Sequence, residues 1–367
     1  MRIKKMKVLT CDQPYPVDIV LHPTWWHRHV GISFDRDFFY HPKLRVEMEK
    51  AMEMALYERW GRFGLGKDRN RDLPWIGPVH LAAGYLLSEM LGCRVEFQEN
   101  NAPQVICAEG DHPPVSIESA FVSAAWKEIE NLREALFSRF AYVTGDLNWG
   151  GLLNIALDLE GQNLFIQFFD HPQQIKLFFR QISQVMEAFL SVVVGWTGTS
   201  SLTTNRSIAS LNQPVYLHSE CSHTMISVDD YELFLQPFDR EWSGRFQPYG
   251  IHYCGKDPQR FAQSWSNLQR LAFLDVGAGG DPALLRKYLP DTFLNLRLDP
   301  AVLVRQSRAE IEETMRSLAA ASGDPLRTGF CCINLDDTVT EDQVAAIFET
   351  AQKLREEKCR CQTGINR

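Results

Sequence analysis

The chain has 367 residues, 45% hydrophobic and 23% charged, an ordinary globular balance with room for two domains or one large α/β barrel. A formal charge of −8 argues against a general nucleic-acid binder. Nine irregularly spaced cysteines, no apolar leader behind the basic residues 1–10, and no apolar run of the roughly 18 residues a bilayer requires predict a cytoplasmic protein with reduced thiols and no membrane span.

Residues 15–40 are dense in aromatics and histidine: Trp25-Trp26-His27-Arg28-His29, then Phe34, Phe38, Phe39 and Tyr40. Such a stretch either seals an N-terminal segment onto a core or lines a pocket for a large planar ligand. Leu44, Met48, Met52 and Leu56 recur every four residues and predict a helix over 42–61. A buried helix over 78–91, stopped by Gly92, and a strand over 94–98 follow. Beyond about residue 115 the pattern becomes regular. Helices are expected over 126–140, 151–160 and 172–195, the last opened by Pro172. Short strands at 142–145, 215–218, 250–254, 273–276, 293–296 and 329–333 each run into a polar or Gly-rich loop and then a helix. This alternation predicts a parallel sheet closed as a (β/α)8 TIM barrel with an N-terminal helical extension. We expect a single domain over 1–367, with 1–115 packed on the barrel and 116–367 forming most of it.

In such barrels the C-terminal strand ends carry the chemistry. The residues collected there are Asp146, Asn148, His218, Glu220, His252, Cys254, Asp275, Arg297, Asp299 and Cys332. The stretch His252-Tyr253-Cys254-Gly255 is the most informative, because a period of two sends residues 252 and 254 to one face. In Cys331-Cys332 the two side chains face opposite ways, so one of them can converge on that pair. One histidine and two cysteines suit zinc, and three protein ligands leave a fourth position open for chemistry. Glu220, leaving a strand end, is a candidate for that position, and Glu220 and Asp146 are the candidate catalytic carboxylates.

Leu274-Asp275-Val276-Gly277-Ala278-Gly279-Gly280-Asp281 imitates the glycine-rich turn of a Rossmann methyltransferase, with Asp299 as the ribose acid. Too little chain follows it to complete a doubly wound domain. Three other motifs resemble the uroporphyrinogen decarboxylase superfamily. Trp25-Trp26-His27-Arg28-His29-Val30-Gly31 is similar to its W-F-M-R-Q-A-G at Trp25, Arg28 and Gly31. Leu298-Asp299-Pro300 resembles its N-L-D-P. The segment from Cys332 to Asp342 resembles its closing G-[HC]-G-x-x-P-D-T-P-x-E-N, and that alignment selects Cys332 over Cys331. The resemblance implies a TIM barrel and favours the zinc-dependent corrinoid methyltransferases, which carry H-x-C on a strand end and a closing cysteine. It implies zinc on His252, Cys254 and Cys332, and substrate contacts from Trp25, Arg28, Asn148, His218 and Asp299. It also implies a methylcorrinoid co-substrate delivered by a separate corrinoid protein, and a small-molecule acceptor of thiol or folate type, with no nucleic acid or membrane as partner. The alternative it leaves is a metal-free decarboxylase-like lyase. Against that stand Ile32, where the decarboxylase has a second arginine, and the lack of any Asp between Asp72 and Asp111. One departure from the methyltransferase pattern is that neither residue flanking Cys332 is glycine.

Overall fold

The computed structural model describes residues 9–66, 72–199 and 202–364; most of the basic 1–10 stretch lies outside them. In chain order its strands are β1 (Val17–Leu21), a small antiparallel pair β2 (Arg94–Glu96) and β3 (Gln104–Ile106), then β4 (Tyr216–Ser219), β5 (Tyr249–His252), β6 (Phe273–Val276), β7 (Phe293–Arg297) and β8 (Thr328–Leu335). Six of these form one parallel sheet in the order β1-β8-β7-β6-β5-β4.

That order decides the fold class. From β4 to β8 each strand lies beside its successor, and the last strand pairs with the first, Val17 opposite Phe330. A doubly wound sheet reverses its order at a switch point, and this one does not. Between β1 and β4 the ladder thins to an isolated parallel bridge between Trp75 and Thr144. Ile76 N donates to Thr144 O at 3.0 Å and Thr144 N to Pro74 O at 3.1 Å. The strand expected at 142–145 is reduced to that bridge. The fold is a TIM-type barrel with six continuous strands.

The helices mostly fall where periodicity put them, with three informative differences. The helix Pro42–Trp60 buries Val46, Met52, Ala55, Leu56 and Trp60, but Arg45 and Glu49 share that face and pair with each other. Leu44 and Met48 are only half-buried, so the apolar stripe read from the sequence is rotated by an ionic cluster that includes His80 and Glu53. The helix expected over 78–91 is confined to Leu86–Met90, and residues 82–84 instead run as a loop beside the central cavity. The N-terminal segment is also more than an extension, since it supplies β1 to the barrel sheet.

The helix Pro172–Thr197 is long and apolar enough to cross a membrane by length and composition. Here Ile175, Phe179, Ile182, Val185, Met186 and Phe189 are buried in the protein core, so its apolar face is already occupied. Capping is conventional where it matters to the site. Asp281 and Asp299 each accept two backbone N–H groups at the helix starts that follow β6 and β7.

Candidate metal centre and cavity

β5 ends at His252, and the chain continues extended long enough to bring Cys254 to the same side. His252 Nε2 lies 2.9 Å from Cys254 Sγ. The third donor comes from the neighbouring strand end: Cys221, two residues beyond β4, has its Sγ 2.7 Å from that of Cys254. The ligand atoms of Cys221, His252 and Cys254 all lie within 4.8 Å of one another. Gly151 lets the adjacent loop approach, because a Cβ there would sit 1.8 Å from Ser219 O. Gly277 plays the same part on the other side, where a Cβ would lie 1.9 Å from Gly255 O. The glycine-rich stretch that imitates a nucleotide-binding turn therefore serves to pack the loop after β6 onto the loop carrying Cys254.

Behind the donors stands a buried carboxylate. His252 Nδ1 donates to Asp275, which leaves Nε2 facing the sulfurs. Asp275 also accepts from Asn205 Nδ2 at 2.8 Å, Arg297 Nη2 at 3.2 Å and Asn295 Nδ2 at 3.3 Å. Burial pushes its pKa up, but Arg297 and His252 outweigh that and hold it well below the usual carboxylate range. For His252, burial favours the neutral ring, yet Cys254 and Asp275 prevail and raise its pKa to about 9. Cys254 is pulled below an ordinary thiol by the hydrogen bond from Cys221, against partial desolvation of its sulfur and with help from His252 and Arg297. The same hydrogen bond, together with burial, pushes the Cys221 thiol up.

Two thiols and one imidazole suit zinc, and a carboxylate on the far ring nitrogen is the usual way a ligating histidine is fixed. The donor set therefore fits the metal, although the third ligand is not the expected one. Cys332 is fully buried, and its Sγ donates to Leu298 O at 3.4 Å rather than joining the pair. Cys331 faces the barrel interior, 3.4 Å from Asp275 Oδ1, and also stands outside the group. The reason is the length of β8. It runs on to Leu335, so Ile333 and Asn334 are the residues that reach the cavity, and both cysteines lie below them. Asn334 takes a left-handed φ of 67°, beside the register shift opposite Val20 and Leu21.

Other expected site residues divide by depth. Asn148 and Asp299 line the cavity; Asn148 donates to Ser219 Oγ at 3.2 Å and Asp299 caps the helix Pro300–Leu303. Glu220 does not reach the sulfurs as a ligand. Its carboxylate accepts from Leu152 N at 2.9 Å and pairs with His218 and His223, each at 3.1 Å. Burial would raise its pKa, but His223 and His218 hold it well below normal. His218 lies in the same buried chain, bonded to Tyr249 and beside Asp239; those carboxylates overcome its burial and raise its pKa to about 9. Asp146 is spent on loop structure, accepting from Leu202 N at 2.7 Å, Thr203 N at 2.9 Å and Thr203 Oγ1 at 2.6 Å. Its geometry is that of a loop anchor.

Trp25, Trp26, Phe38 and Phe39 are buried, and none of them, nor Tyr40, lines the cavity. Trp25 packs on Trp26 and Trp60 at ring distances of 5.0 and 5.7 Å, and Trp26 packs on His80. These rings seal the N-terminal segment to the core. Tyr85, in ring contact with Phe39, is the residue of this aromatic cluster that lines the cavity among the described residues. Arg28 is exposed and pairs with Asp337 at 2.5 Å, so two of the motifs behind the family resemblance meet on the surface. The residues that sequence reasoning missed are Cys221, which stands in a polar stretch and meets Cys254 only across neighbouring strands, and Asp158.

The three donors open onto a cavity of about 500 Å³. Arg297 and Lys256 share their end of it; Ser88, Asn154, Asp158 and the small residues Ala82, Ala83 and Gly84 contribute other walls. Arg297 is nearly buried, with Nη2 3.3 Å from both ring nitrogens of His252. A guanidinium here offsets negative charge gathered by two sulfurs and Asp275.

No family model matches the sequence, and no curated protein matches it either. Among solved structures, a methyltransferase from Methanosarcina mazei is similar over 94% of both chains, with a TM-score of 0.60 and 11% identity. A B12-independent methionine synthase from Shewanella sp. W3-18-1, in complex with selenomethionine, is similar over 97% of this chain and 99% of its own, with a TM-score of 0.50 and 8% identity. At these identities the likeness is one of fold. It extends over nearly the whole length of each chain and agrees with the barrel read from the strand order.

Proposed function

We propose that this chain is a zinc-dependent methyltransferase that moves a methyl group between a corrinoid carrier and a thiol or folate-type acceptor. The single observation that carries this reading is the convergence of Cys221, His252 and Cys254 at one end of an open cavity, backed by Asp275. The fold shared with a methyltransferase and a methionine synthase supports the reaction class. Zinc held by these three side chains supplies a Lewis-acidic position that lowers the pKa of a thiol acceptor bound there. Asp275 fixes the tautomer of His252 and aims Nε2 at the sulfurs. Arg297 counters the negative charge that an acceptor thiolate adds. The cavity is of a size for a small acceptor. A corrinoid therefore has to be presented at its mouth, which suits delivery by a separate corrinoid protein.

The test is metal analysis of protein purified without chelator, combined with methylcobalamin demethylation across thiols and folates. About one zinc per chain, and demethylation that stops on chelation and returns with zinc, is the expected result. Activity that survives metal removal would favour the metal-free lyase instead.

A further inference from the structure

The cavity has a second polar end that the metal chemistry leaves unused. The helix Leu152–Glu160 forms one wall. Near its start Asn154 grips the loop that carries Cys221, donating to Ser219 O at 3.0 Å and accepting from Ser222 N at 2.9 Å. Asp158 lies four residues on, so it shares that face about 6 Å further along the axis. It is half-buried, and both it and Ser88 line the cavity. Among the described residues its carboxylate takes one hydrogen bond, from Ser88 Oγ to Oδ2 at 2.6 Å. An ionised carboxylate offers about four acceptor positions, so most of its capacity remains for a ligand. Among the described residues no Lys or Arg is paired with it, whereas Arg297 stands at the sulfur end, beside His252 and Asp275. Burial pushes its pKa up to about 6, which leaves it ionised at neutral pH but poorly solvated.

We infer that Asp158, held by Ser88, is the specificity pole of this cavity and receives the cationic, hydrogen-bond-donating end of a small aminothiol whose sulfur sits at Cys221, His252 and Cys254. This rests on the acceptor-thiol reading above. Asn154 and Asp158 stand one helical turn apart on this wall, the first holding the loop of Cys221 and the second carrying the carboxylate. The donors and Asp158 line one cavity of about 500 Å³, which suits a small substrate. A thiol ending in a carboxylate would place like charge against Asp158 and is disfavoured.

Isothermal titration of the metal-loaded full chain with three probes tests this: 3-aminopropane-1-thiol, 3-mercaptopropionate and propylamine. Wild type is expected to prefer the aminothiol over the mercaptoacid by at least roughly 10-fold, the scale of one charge-assisted hydrogen bond. Asp158→Asn should bring that ratio close to one without weakening mercaptopropionate, and Ser88→Ala should reduce it by a few-fold while keeping the carboxylate. Equal binding of both thiols by wild type, or a preference unmoved in both variants, overturns the assignment of Asp158 and leaves the metal reading standing. Propylamine binding that depends on Asp158, with no extra affinity from the thiol, keeps the pole and overturns the acceptor site. Absence of binding by all three overturns both.

Discussion

Replacing Asp158 with asparagine should make the protein more stable, and only above a defined pH. The folded-state pKa of Asp158 is about 6 against an ordinary 3.8, because burial disfavours its charged form. A group whose pKa rises on folding binds more protons in the native state than in the unfolded chain between those two values. Stability therefore falls as pH rises from about 4 to about 6, and the whole cost is present at higher pH. At 1.36 kcal/mol per pH unit, the difference between 3.8 and about 6 is worth up to about 3 kcal/mol. Water reaching the cavity reduces this, so about 1–3 kcal/mol is the expected gain for Asp158→Asn at pH 8. The amide still accepts the Ser88 hydroxyl, so the contact at 2.6 Å survives. Urea unfolding of both proteins at pH 5, 6.5 and 8 measures it, with the gain growing through that series. A variant equally destabilised at all three pH values would show that Asp158 makes a structural contact and is not a desolvated charge. A stabilised variant that also loses aminothiol preference is the pattern of a residue kept for binding at a cost to folding.

Further outcomes follow from the metal centre and its surroundings. Cys221→Ser and Cys254→Ser should each remove most bound zinc, while Cys332→Ser should leave metal content unchanged; inductively coupled plasma analysis decides, and loss in Cys332→Ser alone would reinstate the closing cysteine as ligand. Asp275→Asn should weaken metal affinity by roughly 10–100-fold in a competition titration with a chromogenic chelator, as loss of a carboxylate behind a ligating histidine does. Trp26→Ala should destabilise the protein by about 3–5 kcal/mol by emptying a core position without altering metal affinity, and a change in zinc affinity would return the aromatic segment to the site. Methylcobalamin alone should be a slow methyl donor, accelerated by a corrinoid protein from the same organism; equal rates with and without that protein would refute presentation by a carrier.

What could be read from the chain divides along physical lines. The pairing of His252 with Cys254 is a local consequence of strand period, and the structure keeps it. The barrel was legible because short strands alternate with helices over most of the length. Cys332 failed because the motif alignment ignores where β8 ends, and a strand that runs to Leu335 carries both cysteines below the cavity. Cys221 was invisible for the opposite reason. It meets Cys254 through the lateral β4–β5 pairing, and no sequence period encodes contact between neighbouring strands 33 residues apart. The apolar stripe of the helix Pro42–Trp60 was rotated because Arg45 and Glu49 neutralise each other inside, a pairing that a hydrophobicity pattern counts as surface. Trp25 and Trp26 fit either of two accounts, and only their neighbours decide between them.

The pairing of β1 with β8 also constrains how the protein is made. Val17 waits for Phe330, so a ribosome emits more than three hundred residues before the first strand meets its lateral neighbour. Other contacts wait equally long: Trp60 donates to Glu341 O, and Arg355 to Pro14 O and Tyr15 O. By then β4 and β5 have already emerged, and with them all three sulfur and imidazole donors. A nascent chain can therefore assemble the ligands while the barrel wall still has two open edges, exposed to pairing with another copy. Translation arrested before residue 328 should yield a species that retains thiol–histidine proximity but aggregates through unsatisfied strand edges.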